Sequence, residues 1–148
     1  MTNILHVKVL KARHLIKAKE VQKSDPFVKV YLKSNKQNVK KTRIVADTTH
    51  PVWNDDLTFE ISDLNDSVVF HVYDQAEKPV EVSSKVTTPL NIYKVGDKNK
   101  LVEVDLNLKG QPAGRLKAEI SILPPESELE AAFCNFSLGS YASSYATS

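Results

Sequence analysis

Two kinds of side chain in this 148-residue chain are spaced so that they can do chemistry. The first is a carboxylate set on a turn. Asp25 precedes Pro26, and Phe27-Val28-Lys29-Val30-Tyr31-Leu32-Lys33 alternates in facing, the pattern of a strand launched from a loop with an acid at its tip. Such an acid can ligate a hard cation, or it can cap its own turn. The second is a set of cations. Alternation turns Val28, Val30 and Leu32 inward and Phe27, Lys29, Tyr31 and Lys33 outward. On a following strand Val39, Lys41, Arg43 and Val45 share one side. Paired as a hairpin across Ser34 to Asn38, the two strands place Lys29, Lys33, Lys41 and Arg43 on one surface, with cross-strand neighbours about 5 Å apart. Like charges that close cost stability unless an anion lies over them; the plainer reading is a lysine-guarded sheet edge.

The charge of the whole chain sharpens this. Its formal net charge is only +2, but residues 1–50 carry 12 Lys and Arg against 3 acids, and the remainder 8 against 15. An asymmetry of that size points to an anionic partner, either a membrane surface or nucleic acid.

Other chemistry lacks a foothold in the sequence. His6, His14, His50 and His71 show no paired spacing for zinc, and no Gly-x-Ser-x-Gly elbow, Cys-x-x-Cys pair or Gly-rich phosphate loop occurs. Catalysis is not expected. The one cysteine, Cys134, excludes an internal disulfide. No apolar run approaches the roughly 20 residues that span a bilayer, and the N-terminal residues alternate at once without a signal-peptide segment. A cytoplasmic protein, peripherally associated with membranes, is the simplest expectation.

The elements that must position these residues are strands. Period-two alternation predicts them at about 3–10, 26–33, 38–46, 56–62, 67–74, 81–88, 100–108 and 114–123, with turn residues such as Lys109-Gly110 between the later ones. Together they predict an all-β, eight-stranded antiparallel Greek-key β-sandwich over residues 1–123. From Pro124-Pro125 the composition turns low in complexity, and residues 124–148 read as a mobile Ser/Tyr-rich tail.

Ser24-Asp25-Pro26-Phe27-Val28-Lys29-Val30 and, downstream, His50-Pro51-Val52-Trp53-Asn54-Asp55 resemble the paired motifs of the C2 domain, a calcium- and lipid-binding β-sandwich. The resemblance covers about residues 3–123. Few residues precede the first strand while 114–123 supplies a late one, so the circularly permuted form, type II, is expected, with the chain ends opposite the calcium loops. The resemblance also implies a calcium ligand set, of which Asp25 and Asp74 remain. Lys19, Ala76 and Val82 stand where further carboxylates belong, and Glu20, Glu77 and Glu81 are displaced candidates for a degenerate, weak calcium site. In the same family a lysine cluster binds phosphoinositides; Lys29, Lys41 and Arg43 match it, with Tyr31 in place of another lysine and Lys33 beside it.

The leading functional expectation is therefore a membrane-targeting module that binds phosphatidylserine or phosphoinositides through the basic face, with calcium weak or dispensable. A protein-interaction scaffold whose tail, residues 124–148, carries the binding sites is the competing class, and ordinary calcium-dependent lipid binding through the displaced glutamates is a third. Nucleic acid is disfavoured because the aromatic-rich motifs of single-strand binders are missing.

Overall fold

A computed structural model describes residues 2–16, 24–76 and 78–125. The tail 126–148, Lys19, Glu20 and Glu77 lie outside the described residues. Nine strands form among those described: β1 (Asn3–Arg13), β2 (Pro26–Leu32), β3 (Asn35–Lys41), β4 (Val52–Ile61), β5 (Ser67–Asp74), β6 (Val80–Glu81), β7 (Val86–Pro89), β8 (Lys100–Leu108) and β9 (Gln111–Leu123). They make two antiparallel sheets, β4-β1-β9-β8 and β3-β2-β5 with β6 and β7 both on the far side of β5. The last strand lies between β1 and β8, as expected for the permuted order. Pairing of Ile4 with Leu123 puts the first and last strand ends together, at the opposite end of β1 from Arg13.

Alternation supplies the core. Leu5, Val7 and Val9 of β1, Val28, Val30 and Leu32 of β2, and Phe70 and Val72 of β5 are buried between the sheets with Trp53, Ile61, Leu116, Ile120 and Ile122. β1 switches phase at Leu10, where the register against β9 shifts, so that Ala12 rather than Lys11 continues the buried row.

Among the expected strands whose bounds differ, three depart for local reasons that the contacts show. The β2–β3 hairpin turns tightly at Lys33-Ser34, with Leu32 opposite Asn35, and not across Ser34 to Asn38. Asp66, from the β4–β5 connection, accepts from both the Ser34 amide and its hydroxyl and pins that turn. β4 begins four residues early, at Val52, because it contains a bulge: Val9 faces Asp55 but Lys11 faces Val52, and Asn54 has φ 50°. Asparagine tolerates that left-handed backbone. The expected strand 81–88 is divided into β6 and β7, since Val82 and Ser83 both donate amides to the Val72 carbonyl and the Ser83 hydroxyl accepts from the Val72 amide at 3.3 Å. A side-chain oxygen thus replaces a ladder carbonyl.

One turn and one close approach between strands need glycine. Lys109 (φ 52°) and Gly110 (φ 80°) form the two-residue β8–β9 hairpin, where both central residues have positive φ. Gly114 has φ 120°, and a Cβ there would stand 2.8 Å from the Arg13 carbonyl oxygen. It lets β9 pass close beneath the end of β1.

Candidate functional site

The two motifs singled out in the sequence are bonded to each other. Trp53 is fully buried, and its indole N–H donates to the Pro26 carbonyl at 3.2 Å. The Val28 amide donates to the Thr42 hydroxyl at 3.0 Å, so the start of β2 is held from both flanks. This fixes the loop end of the sandwich, where β1 stops, β2 starts and β5 stops.

At that end Asp25 and Asp74 come together, because Pro26 pairs with Asp74 and the Gln75 amide donates to the Asp25 carbonyl. Their side chains differ in use. One Asp25 carboxylate oxygen accepts the Asp47 amide at 2.7 Å, a bond to a loop 22 residues on and not a cap on its own turn. Asp74 is 1% exposed. Glu81 does not join them. It pairs with Tyr73, one residue before Asp74, so it projects from the opposite face of the sheet, where its carboxylate meets His71 Nε2 at 2.6 Å. Val82 is core, at 1% exposure, and Ala76 carries no donor side chain. No cluster of three or more His, Cys, Asp or Glu able to hold a metal occurs among the described residues. Calcium takes six to eight oxygens; of the candidate carboxylates the described residues bring Asp25 and Asp74 to this end, and Glu20 and Glu77 lie outside those residues.

The outer face of β3-β2-β5 is a different environment. Lys29 stands directly between Lys41 on β3 and His71 on β5. Its ammonium lies 4.4 Å from the centre of the Tyr73 ring, and Tyr73 stacks on Phe27 with ring centres 5.8 Å apart. A cation on an aromatic face gains about 0.5–1 kcal/mol at an exposed site and is held upright. His71 joins Tyr73 and Glu81: Glu81 only accepts, so Nε2 carries a proton, and in the neutral ring Nδ1 accepts from the Tyr73 hydroxyl at 3.1 Å. Burial raises the Tyr73 pKa above 10.0; Glu81 adds to this and Lys85 opposes it. Lys85 therefore belongs to the same electrostatic neighbourhood.

The basic set is smaller than the alternation suggested. Lys29 and Lys41 are brought together as expected. Lys33 falls in the tight turn, at the far end of the hairpin from Lys29. Arg43 leaves the face: its guanidinium donates to the Trp53 carbonyl at 2.6 Å and lies 3.5 Å from Asp55, whose other oxygen accepts the Arg43 amide. It clasps the two sheets along their edge. Lys40, on the opposite side of β3 from Lys41, does the same by donating to the Thr58 carbonyl and lying over Phe59. Phe27 and Tyr31, although on the outer side of β2, are only 2% and 7% exposed. Tyr73 covers the first, and Tyr31 is set against Val69 across the ladder. His71, Tyr73 and Lys85 were not picked out from the sequence as parts of this face. The alternation Val69, His71, Tyr73 against Phe70, Val72, Asp74 contains the signal for the first two.

An antiparallel two-sheet sandwich with its last strand set beside its first, and an aspartate just before β2 meeting the one that ends β5 at one loop end, defines a C2-type module. The C2 domain family model matches residues 3–105, and the chain belongs to the C2 domain family, a class of membrane- and calcium-binding modules. Multiple C2 and transmembrane domain-containing protein 1 of Homo sapiens is 31% identical over 120 residues, 80% of this chain and 12% of its own length. Synaptotagmin-1 of Arabidopsis thaliana is 31% identical over 128 residues, 80% of this chain and 23% of its own. The chain thus spans less than a quarter of either relative. A solved C2 domain of plant Extended Synaptotagmin 1 superposes with a TM-score of 0.75 and 28% identity, over 82% of this chain and 95% of that one. Among the described residues no helix is long and apolar enough to cross a membrane.

Proposed function

We propose that this C2 domain docks peripherally on anionic membranes through the outer face of β3-β2-β5, attracted by phosphatidylserine or phosphoinositide headgroups, and that calcium is dispensable. The observation that carries the reading is the direct opposition of Lys29 and Lys41 on neighbouring strands, with Lys29 braced on Tyr73. Two ammonium groups set side by side repel each other, and an anionic headgroup relieves that repulsion. Each cation near an anionic leaflet contributes about 1 kcal/mol, so Lys29 and Lys41 with help from Lys85 supply measurable attraction without a metal. The protein acts as a binding module with no reaction of its own, on the cytoplasmic side of the membrane. Asp25 ties the loop at Asp47 to the start of β2 rather than holding an ion.

Vesicle co-sedimentation tests this. The full chain is expected to bind phosphatidylcholine vesicles containing phosphatidylserine or phosphatidylinositol bisphosphate equally in calcium and in chelator, and to release as salt is raised. Binding seen only with calcium would return the function to the loop end; no binding in either condition at low salt would end the proposal.

A further inference from the structure

The other sheet carries a second cationic site, built differently. Along the first part of β1 bases face acids: Lys8 lies between Asp56 of β4 and Glu119 of β9, and His6 Nε2 is 3.0 Å from Asp56. The bulge at Leu10 changes the pairing. Beyond it Lys11 faces Lys117, and Arg13 faces Arg115. Two like-charged cross-strand pairs in succession are unfavourable in a bare sheet. The acids opposing them are Glu103 and Asp105 of β8, two against four. One Glu103 oxygen is shared between Arg13 and Arg115 at 3.5 Å each, a long contact that leaves both guanidinium groups with spare donors, while Arg115 also meets Asp105 at 2.8 Å.

These cations rim a cavity of about 280 Å³, floored by Ala12 and the exposed Val52 and closed on one side by His50. His50 is fixed there by an edge-on contact with His14, ring centres 4.8 Å apart. A space at the small end of the roughly 300–1,000 Å³ range of ligand pockets suits a headgroup rather than an acyl chain. The lysine pair and the arginine pair are two positions apart along each strand, with one inward residue between them, so the pairs are about 7 Å apart. A ligand with a single anionic group meets one pair; one with two phosphates spans both, the arginine forks accepting one phosphate and the lysines the other.

We propose that this cleft between β4, β1 and β9 is a binding site for a small polyphosphorylated group, an inositol phosphate presented either by a lipid or free in solution, held by Lys11, Arg13, Arg115 and Lys117. It is separate from the β3-β2-β5 face, which belongs to the opposite sheet. Calorimetric titration of the full chain with inositol trisphosphate tests it. Replacing Lys11→Gln and Lys117→Gln together is expected to weaken binding about tenfold or more, since charge-assisted contacts to phosphate are lost. Lys94→Gln with Lys98→Gln is expected to change it by less than about twofold, because the neighbouring Val95 bridges Ile122, at the end of β9 away from Arg115. Glu103→Gln, which releases both arginines from their competing carboxylate, is expected to tighten binding about two- to fivefold. Thermal midpoints of the variants show that each is folded. Failure of the wild-type chain to bind, or equal loss in both lysine variants, would overturn the proposal. Vesicles containing phosphatidylinositol bisphosphate, offered to the Lys29→Gln/Lys41→Gln variant, identify the source: retention on them assigns the site to a lipid headgroup, and trisphosphate binding without retention assigns it to a soluble ligand. Either result supports a phosphate site.

Discussion

The two ends of one motif, Ser24 to Lys29, have separate fates. At the Asp25 end the carboxylate is turned to the Asp47 amide and the backbone is tied to Trp53, so the residues serve the scaffold. Four residues on, Lys29 faces outward across from Lys41, propped on Tyr73 and engaged with no acid among the described residues' ion pairs. The loop end keeps the architecture of a metal site while the described donors fall short of one. The sheet face keeps the charge. A motif can therefore be retained for what its backbone does, and its chemistry must be judged residue by residue.

The strongest way to break the contrast is at its scaffold. Trp53→Ala removes a fully buried ring and the bond to Pro26, and is expected to cost about 3–5 kcal/mol in urea unfolding. A loss near zero would mean that the loop end is not held by this residue. A smaller effect sharpens the role of Asp25. Asp25→Ala leaves the Asp47 amide without its side-chain acceptor and is expected to cost about 1 kcal/mol, with or without calcium in the buffer. Extra destabilisation confined to calcium-containing buffer would show an ion there. The smallest effect concerns the face. Because the Tyr73 pKa is higher in the folded state than its ordinary 10.0, the associated stability is complete below pH 10.0 and declines as pH rises through the folded value. Spectrophotometric phenol titration should show Tyr73 and Tyr93 titrating late in wild type and Tyr93 alone doing so in Tyr73→Phe.

Much of the scaffold is legible in the sequence, and for definable reasons. Alternation on β2 marks Val28, Val30 and Leu32 as core, Lys109-Gly110 carries the chemistry of a two-residue hairpin, and the late strand 111–123 has the place beside β1 that a permuted order needs. What escapes are choices made by distant partners. Asp66 tightens the turn that carries Lys33 away from Lys41, and Asp55 with the Trp53 carbonyl draws Arg43 off the face. His71 captures Glu81 on the side of the sheet away from Asp74. Phe27 and Tyr31 point outward by parity yet are covered, because the face they share bears Tyr73 and Val69. Parity reports which side a residue takes; it is silent on what else stands there. The cationic pairs Lys11/Lys117 and Arg13/Arg115 depend on a bulge that alternation alone does not reveal.

The central claim is that membrane attraction resides in the lysine face and not in the loop-end carboxylates. Partitioning onto phosphatidylserine vesicles, measured in calcium and in chelator for Asp25→Asn and for Lys29→Gln/Lys41→Gln, tests it most directly. The lysine variant should bind about ten- to thirtyfold more weakly in both buffers, at about 1 kcal/mol per cation, while Asp25→Asn matches wild type. Calcium-dependent binding abolished by Asp25→Asn and untouched by the lysine changes would contradict the account.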